Sequence, residues 1–329
     1  MPRRRTVRRE TPCPIKKNLK NNARLLHFRV NPSPDIKHVT ANFPFAACDY
    51  ARALAARSDA FRRQVEPDVR ELEDEEGFGP DPFGEEDEAS GCFGLKQRFP
   101  DRVLVMTSNA CFMNCRHCTR KGLLRHAEVV RSDEELAACV NYVQEHPLVR
   151  DVLLSGGDPL VLPDDEVMRF VHAFADIPQV DVVRLCTRAP CVNPARVTRD
   201  LAARLGRSGK VWANVQFNHA DEMTAEAATA CSYLVNAGVP VSCQTVLLAG
   251  VNDSVETLLD LFRALQRARV RPYYVFQCDP VAGVSHFRVP IKEAKRLART
   301  CAERIGGLGL PRFVADIPGS ARKMPIELL

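Results

Sequence analysis

The feature that most limits what this chain can fold into begins at Arg102. From there to the end, short apolar runs alternate with amphipathic stretches of about 10 to 15 residues, the pattern of repeated βα units around a parallel sheet. The runs predict strands at Val103–Thr107, Asp151–Ser155, Val180–Leu185, Val211–Gln216, Val239–Leu247, Arg271–Phe276 and Arg312–Ala315. Between them, helices are expected at Asp133–Glu145 with Ser132 as N-cap, at Asp164–Ala175, and at Ala220–Ala237 with Gly238 as the stop. Six βα units and a closing strand make an α/β fold, a partial (β/α)6 barrel of the TIM type.

Such a barrel collects chemistry at the carboxyl ends of its strands. The first run is followed by Cys111 and its neighbours, and the second by Ser155-Gly156-Gly157-Asp158. Arg188 falls near the end of the third, Asn218-His219 after the fourth and Gln244 within the fifth. Asp279 follows the sixth, and Asp316 and Lys323 the last. A purely structural sheet has no reason to deliver a polar or glycine-rich group from every strand.

Residues 1 to about 100 lack strand signals and are expected to form a helical extension to the 101–329 barrel. Met1 to Arg24 carries nine Lys and Arg against one Glu and has no apolar h-region, so it reads as a basic tail rather than a secretory signal. An organellar transit peptide or a nucleic-acid arm are the other readings of that tail. A helical-looking stretch, Ala47 to Glu73, overlaps an acidic run with twelve Asp and Glu from Glu66 to Glu88, broken by glycine and proline and expected to be a solvated linker. The net charge of +5 comes largely from the tail, so nucleic acid is disfavoured as a partner. No apolar run approaches the roughly 18 residues of a membrane span. Thirteen cysteines without a secretory signal point to a reducing cytoplasm and a metal centre rather than a disulfide framework.

Cys111-Phe112-Met113-Asn114-Cys115-Arg116-His117-Cys118 has C-x3-C-x2-C spacing in a loop directly after a strand. Thiolates are soft ligands suited to iron-sulfur clusters, and three of them leave one iron of a four-iron cluster open to a small molecule. Buried apolar cysteines, or a zinc site completed by His117, are the competing readings. On the first βα loop of a barrel this spacing is the signature of radical S-adenosylmethionine (SAM) enzymes. The other ten cysteines are read as structural. Gly156 and Gly157 would let backbone approach a ligand, and Asp158 could accept from an ammonium group, although Gly-Gly-Asp is also a common tight turn.

Over roughly residues 81 to 325 the sequence resembles the lysine 2,3-aminomutase family. The resemblance is carried by Arg98-Phe99-Pro100-Asp101-Arg102, CRHCTR at Cys115 to Arg120, and LLSGGDPL at Leu153 to Leu160. Further segments are FNHADEMT at Phe217 to Thr224, QTVLLAGVND at Gln244 to Asp253 and RPYYVFQCD at Arg271 to Asp279. HFRVP at His286 to Pro290 and DIPGSARKMP at Asp316 to Pro325 complete the set. The resemblance implies an isomerase that uses a [4Fe-4S] cluster on Cys111, Cys115 and Cys118, SAM, and pyridoxal 5'-phosphate to move an amino group from C2 to C3 of lysine. It further implies that Lys323 is the Schiff-base lysine and that Arg98 and Arg102 hold the cofactor phosphate or position the site. Phe99 would stack on the pyridine ring, and Arg120 would clamp the substrate carboxylate. Asp279 and Asp316 would hold the distal ammonium and repel glutamate. Asn218, His219 and Gln244 would line the SAM site, with Gly156, Gly157 and Asp158 beside them. The expected partners are a small amino acid and an electron donor such as flavodoxin or ferredoxin, in a possible homo-oligomer.

Three features depart from the family. Ser320-Ala321-Arg322 stands where a glycine-rich run is usual, the chain ends at Leu329, and the N-terminal region is not recognisable. Ser254 occupies the loop position of a zinc-binding cysteine, so no structural zinc is expected. Rival readings are a relative that isomerises lysine for elongation factor P, action on arginine, and a radical-SAM protein without pyridoxal chemistry that modifies RNA or protein. A cluster-bearing redox module without turnover is a further rival.

Overall fold

The computed structural model describes residues 33–73, 75–85, 92, 94–122 and 130–329. The basic tail and the last residues of the acidic run lie outside them. Three short helices lead: α1 (Pro34–Asn42), α2 (Asp49–Ala55) and α3 (Asp59–Val65), followed by a 3-10 turn at Val69–Leu72. The sheet then begins with β1 (Leu95–Phe99) and β2 (Arg102–Ser108), which pair antiparallel. From β2 onward, β3 (Asp151–Gly156), β4 (Val182–Thr187), β5 (Val211–Val215), β6 (Val241–Leu247), β7 (Arg271–Gln277) and β8 (Arg312–Ala315) pair in parallel, each with its predecessor. The short β9 (Met324–Pro325) returns antiparallel along β8.

Each parallel connection crosses through a helix: α4 (Asp133–Glu145), α5 (Asp164–Ala175), α7 (Arg199–Arg207), α8 (Ala225–Asn236), α9 (Val255–Arg267) and α10 (Ile291–Arg304), with a short α6 (Ala189–Val192) after β4. The strand order is sequential and the end strands β1 and β9 do not pair with each other, so the barrel stays open. That is the six-unit partial barrel expected from the alternation.

Local chemistry explains the helix ends. Ser132 and Glu135 form a reciprocal capping box at α4, and Ser254 accepts from the Thr257 N–H to start α9. Gly238, at φ +83°, turns the chain out of α8. On α9, Val255, Leu258, Leu259, Phe262 and Leu265 are buried at helical spacing, while Val152, Leu154, Val183 and Leu185 present strand side chains to the same core.

Three expectations need correction. The first hundred residues do contain a strand: β1 has only Leu95 and Phe99 as apolar residues, and pairing with β2 (Leu95 with Val105) supplies what its own sequence does not. The helix expected at Ala220–Ala237 is split into a 3-10 turn at Ala220–Glu222 and α8, because Thr224 caps a fresh start by accepting from the Ala227 N–H.

The acidic run is not simply solvated. The Glu71 side chain is completely buried, accepting from Arg116 Nε at 2.9 Å and Nη2 at 2.5 Å and pairing with Lys121 Nζ at 2.8 Å. Arg116 also donates to the carbonyls of Pro44 and Phe43, both at 3.1 Å, and Lys121 to that of Gly283 at 2.7 Å. Backbone bonds from Cys48 N–H to Phe112 O and from Asn114 N–H to Ala46 O complete a clamp of N-terminal chain around the cysteine loop. No helix among the described residues is long and apolar enough to cross a membrane.

Candidate active site

A cavity of about 320 Å³ opens at the carboxyl ends of the strands. Cys111, Cys115 and Cys118 share its wall, on the loop after β2. Burial pushes the Cys111 thiol well up, and the charges of Cys118, Asp158 and Cys115 add to it; burial and Cys115 push Cys118 up to about 11. Three thiolates gathered here therefore need a compensating positive body, and soft sulfur donors suit iron. Among the described residues no three His, Cys, Asp or Glu converge on a point as one metal ion requires. A four-iron cluster instead needs its thiolates spread around its edge. His117, the alternative zinc ligand, spends Nε2 on the amides of Gln216 (3.2 Å) and Asn218 (3.3 Å), and burial with Arg188 and Lys121 nearby holds it neutral.

Arg188, at the end of β4, donates through Nη1 to Cys115 Sγ at 3.1 Å. Its Nη2 donates to Gln64 Oε1 at 2.6 Å and Glu222 Oε2 at 3.2 Å. Arg188 Nε, Asn214 Nδ2 and His117 Nδ1 are all buried without a partner among the described residues, and all three residues line the cavity. Orphaned donors of this kind beside a three-cysteine loop fit a polar, anionic ligand of the cluster, as the carboxylate end of SAM would be.

The glycine turn after β3 packs against the cysteine loop. The Gly157 N–H donates to Ser108 O at 2.6 Å and that of Asp158 to Ala110 O at 2.8 Å. A Cβ on Gly156 or Gly157 would run into those same carbonyl oxygens, so the glycines admit the cysteine loop's backbone, and both also line the cavity. The Asp158 carboxylate accepts from the Leu160 N–H and Thr187 Oγ1 on Oδ1 and from the Arg188 N–H on Oδ2, at 2.7 to 2.9 Å, so most of its acceptor capacity is spent inside the protein.

The far side of the cavity carries charge. Lys323 Nζ lies 2.8 Å from Asp316 Oδ2, and Arg98 Nη2 lies 2.8 Å from Asp316 Oδ1. Burial pushes Asp316 up, but Lys323 and Arg98 outweigh it and hold the carboxyl below its usual range. Asp279 Oδ2 accepts from Thr119 Oγ1 at 2.7 Å, whereas Oδ1 is shielded and has no partner among the described residues. Burial, with Asp316 and Glu85 nearby, raises the Asp279 carboxyl to about 6. Arg120 is gripped by Glu85 at 2.5 and 2.9 Å. Phe276 lies 4.7 Å from the Lys323 ammonium, and Phe99, just off the cavity wall, 5.8 Å.

Thus Cys111, Cys115, Cys118, Arg98 and Arg120 line one space with Gln244, Asp279, Asp316 and Lys323. Three more of the expected site residues lie off this cavity wall. Asn218 is fully buried off the cavity, bonded to Gln64, Asn252 and the Val246 N–H. His219 caps the 3-10 turn by accepting from the Asp221 N–H. Arg102 turns outward to Asp101, its guanidinium 4.5 Å from the Phe99 ring. The departure at Ser320-Ala321-Arg322 obstructs nothing, because Ala321 and Arg322 are exposed.

Sequence reasoning missed Glu85, hidden in an acidic run, and the Gln64–Glu222 pair behind Arg188. It also missed Cys186, one of the cysteines read as structural, which lies on the cavity wall. Alternation along β4 already puts Cys186 on the face of Arg184 and Arg188, a signal that was there to use.

Residues 105–262 match the model of the radical SAM superfamily. A radical SAM methyltransferase from Sphaerobacter thermophilus shares the fold, with a TM-score of 0.52 at 17% identity over 69% of each chain. The class is therefore a radical SAM protein, which implies a [4Fe-4S] cluster and SAM. The L-lysine 2,3-aminomutase of Acetoanaerobium sticklandii is 39% identical over 82% of this chain and 65% of its own length. The putative L-lysine 2,3-aminomutase of Aquifex aeolicus is 36% identical over 94% of this chain and 85% of its own, and the glutamate 2,3-aminomutase of Clostridioides difficile is 34% identical over 88% and 69%. The chain belongs to the lysine 2,3-aminomutase family. It spans just under two thirds of the length of several of those relatives, 65%, 62% and 64% for three of them.

Proposed function

We propose that the chain is an aminomutase that moves the amino group of L-lysine from C2 to C3, giving β-lysine. Cys111, Cys115 and Cys118 would hold the cluster, and Arg188, Asn214 and Gln244 would hold SAM beside it. Lys323 and Arg98, with the Phe99 and Phe276 rings, would hold pyridoxal phosphate. When bound, the cluster and SAM supply a carbon radical that removes hydrogen from the substrate, and pyridoxal phosphate supplies the carbonyl that carries the migrating nitrogen.

The observation that carries the substrate reading is Asp279, a residue of the cavity wall whose buried Oδ1 has no partner among the described residues. A shielded carboxylate with a vacant acceptor favours a cation. Asp316 supports the same reading, since it already accepts a primary ammonium, that of Lys323. With Lys323 engaged by the cofactor, Asp316 keeps that capacity for the ammonium of a bound lysine. A glutamate side chain, the substrate in the name of one relative, would place a second carboxylate against Asp279. Arg120, on the same wall, would take the α-carboxylate. Residues 101–329 would form the catalytic barrel and residues before it an accessory region. A one-electron donor such as flavodoxin or ferredoxin would reduce the cluster.

The test is an anaerobic assay of reconstituted protein with dithionite, SAM, pyridoxal phosphate and either L-lysine, L-arginine or L-glutamate, read by mass spectrometry. β-Lysine from the unmodified chain, and none from Lys323→Ala, is the expected outcome. 5'-Deoxyadenosine without β-lysine would remove lysine as the substrate.

A further inference from the structure

Glu85 is the strongest contact in the cavity that the proposed reaction leaves unexplained. Its carboxylate grips Arg120 through Nε at 2.5 Å and Nη2 at 2.9 Å, in a pair whose side chains are 11% and 20% exposed. A guanidinium has five N–H groups, and this grip uses two of them, along one edge. Of the other three, one on Nη1 points to Ser155 Oγ, at a long 3.4 Å, on the cavity wall. The Nη1–Nη2 edge therefore keeps a pair of donors for a second carboxylate.

We infer that Glu85 is a positioning residue for substrate recognition: it fixes the plane of Arg120 so that the adjacent Nη1–Nη2 edge of the guanidinium meets the α-carboxylate of the amino acid. This rests on the substrate reading above and deepens it.

The local chain is built to hold Glu85 there. Its own N–H donates to Asp81 Oδ1 at 2.9 Å, and Gly84, at φ +62°, bends the chain between them. Upstream, Gly79 is tied to the chain just past Asp279: its N–H donates to Pro280 O, and its carbonyl accepts from the Ala282 N–H. Phe83, from the same turn, packs its ring 4.3 Å from the Arg98 guanidinium. One short turn thus braces two of the cavity's three arginines, Arg98 and Arg120. A bidentate partner matters because an unbraced arginine has many rotamers, and ordering it would have to be done by the substrate.

The test compares L-lysine with 1,5-diaminopentane, which has both amines and no carboxylate. Binding of each to the holoprotein is measured by calorimetry for the unmodified chain, Glu85→Gln and Glu85→Ala. If Glu85 positions Arg120, both variants bind lysine at least tenfold more weakly and the diamine unchanged, and KM for lysine rises more than kcat falls. Tighter lysine binding in the variants would overturn the inference, since Glu85 would then be a competitor for Arg120. Equal losses for both ligands would overturn it too, as the mark of a merely structural residue. Failure of the unmodified chain to bind lysine would remove the substrate reading and this inference with it, whereas unchanged lysine binding in the variants would remove the inference alone.

Discussion

Asp279 concentrates the chemistry of the cavity in one carboxyl group. Thr119 satisfies one oxygen, the other is buried without a partner among the described residues, and burial with two carboxylates nearby raises the group to about 6. Because the folded value lies above the ordinary 3.8, the folded state holds this proton more tightly than the unfolded one. The stabilisation from that proton is full below about pH 4 and is lost as pH rises through 6. Above it the ligand-free protein carries a shielded charge. Asp279→Asn is therefore expected to raise stability at pH 8 by about 1–2 kcal/mol, with little gain at pH 4.5. Thermal melts at the two pH values check this, and an equal gain at both would contradict it. In the unmodified protein, lysine affinity should fall as pH drops through 6, because a protonated Asp279 no longer attracts the ammonium group.

At the scale of elements, the N-terminal helices act as a wall for the cysteine loop. Gln64 on α3 accepts from Arg188 and Asn218 and donates to Glu222, and its carbonyl accepts from the Arg116 N–H. Beside it, Glu71 is a single carboxylate between two buried cations. Burial pushes Lys121 down to about 8 even with Glu71 beside it. Glu71→Ala would leave both cations buried without a counter-charge, at a cost of about 3–5 kcal/mol. The expected result is a lower urea midpoint together with reduced iron uptake. A fall in stability with normal iron content would separate the clamp from the loop it holds. The glycine turn belongs to this scale as well. Gly157→Ala places a methyl group against Ala110 O and should disturb the start of the cysteine loop, read as lower iron uptake on reconstitution.

For the whole molecule, the cavity is the place where distant parts of the described chain meet: Glu85 from the N-terminal part, one side chain from nearly every strand end, and Lys323, six residues before Leu329. A cluster bound only to the folded state should stabilise the whole by mass action. Anaerobic melts are expected to show a higher Tm for reconstituted protein than after iron chelation, and Cys115→Ala should abolish that difference.

The alternation of apolar runs with amphipathic helices was enough to predict six βα units and the strand Arg312–Ala315, since periodicity and helix caps are properties of neighbouring residues. The three-cysteine loop was legible for the same reason. Pairings over long separations were not. Glu71 and Glu85 look like part of a solvated acidic run until Arg116, Lys121 and Arg120 are brought against them. Asn218 and His219 look like rim residues until the buried network around Gln64 and the cap of a 3-10 turn claim them. Strand β1 needs β2 to exist at all. Composition and spacing record what each residue can do, and only the tertiary structure decides which remote partner satisfies it, because burial makes an unmatched charge or donor too costly to leave alone.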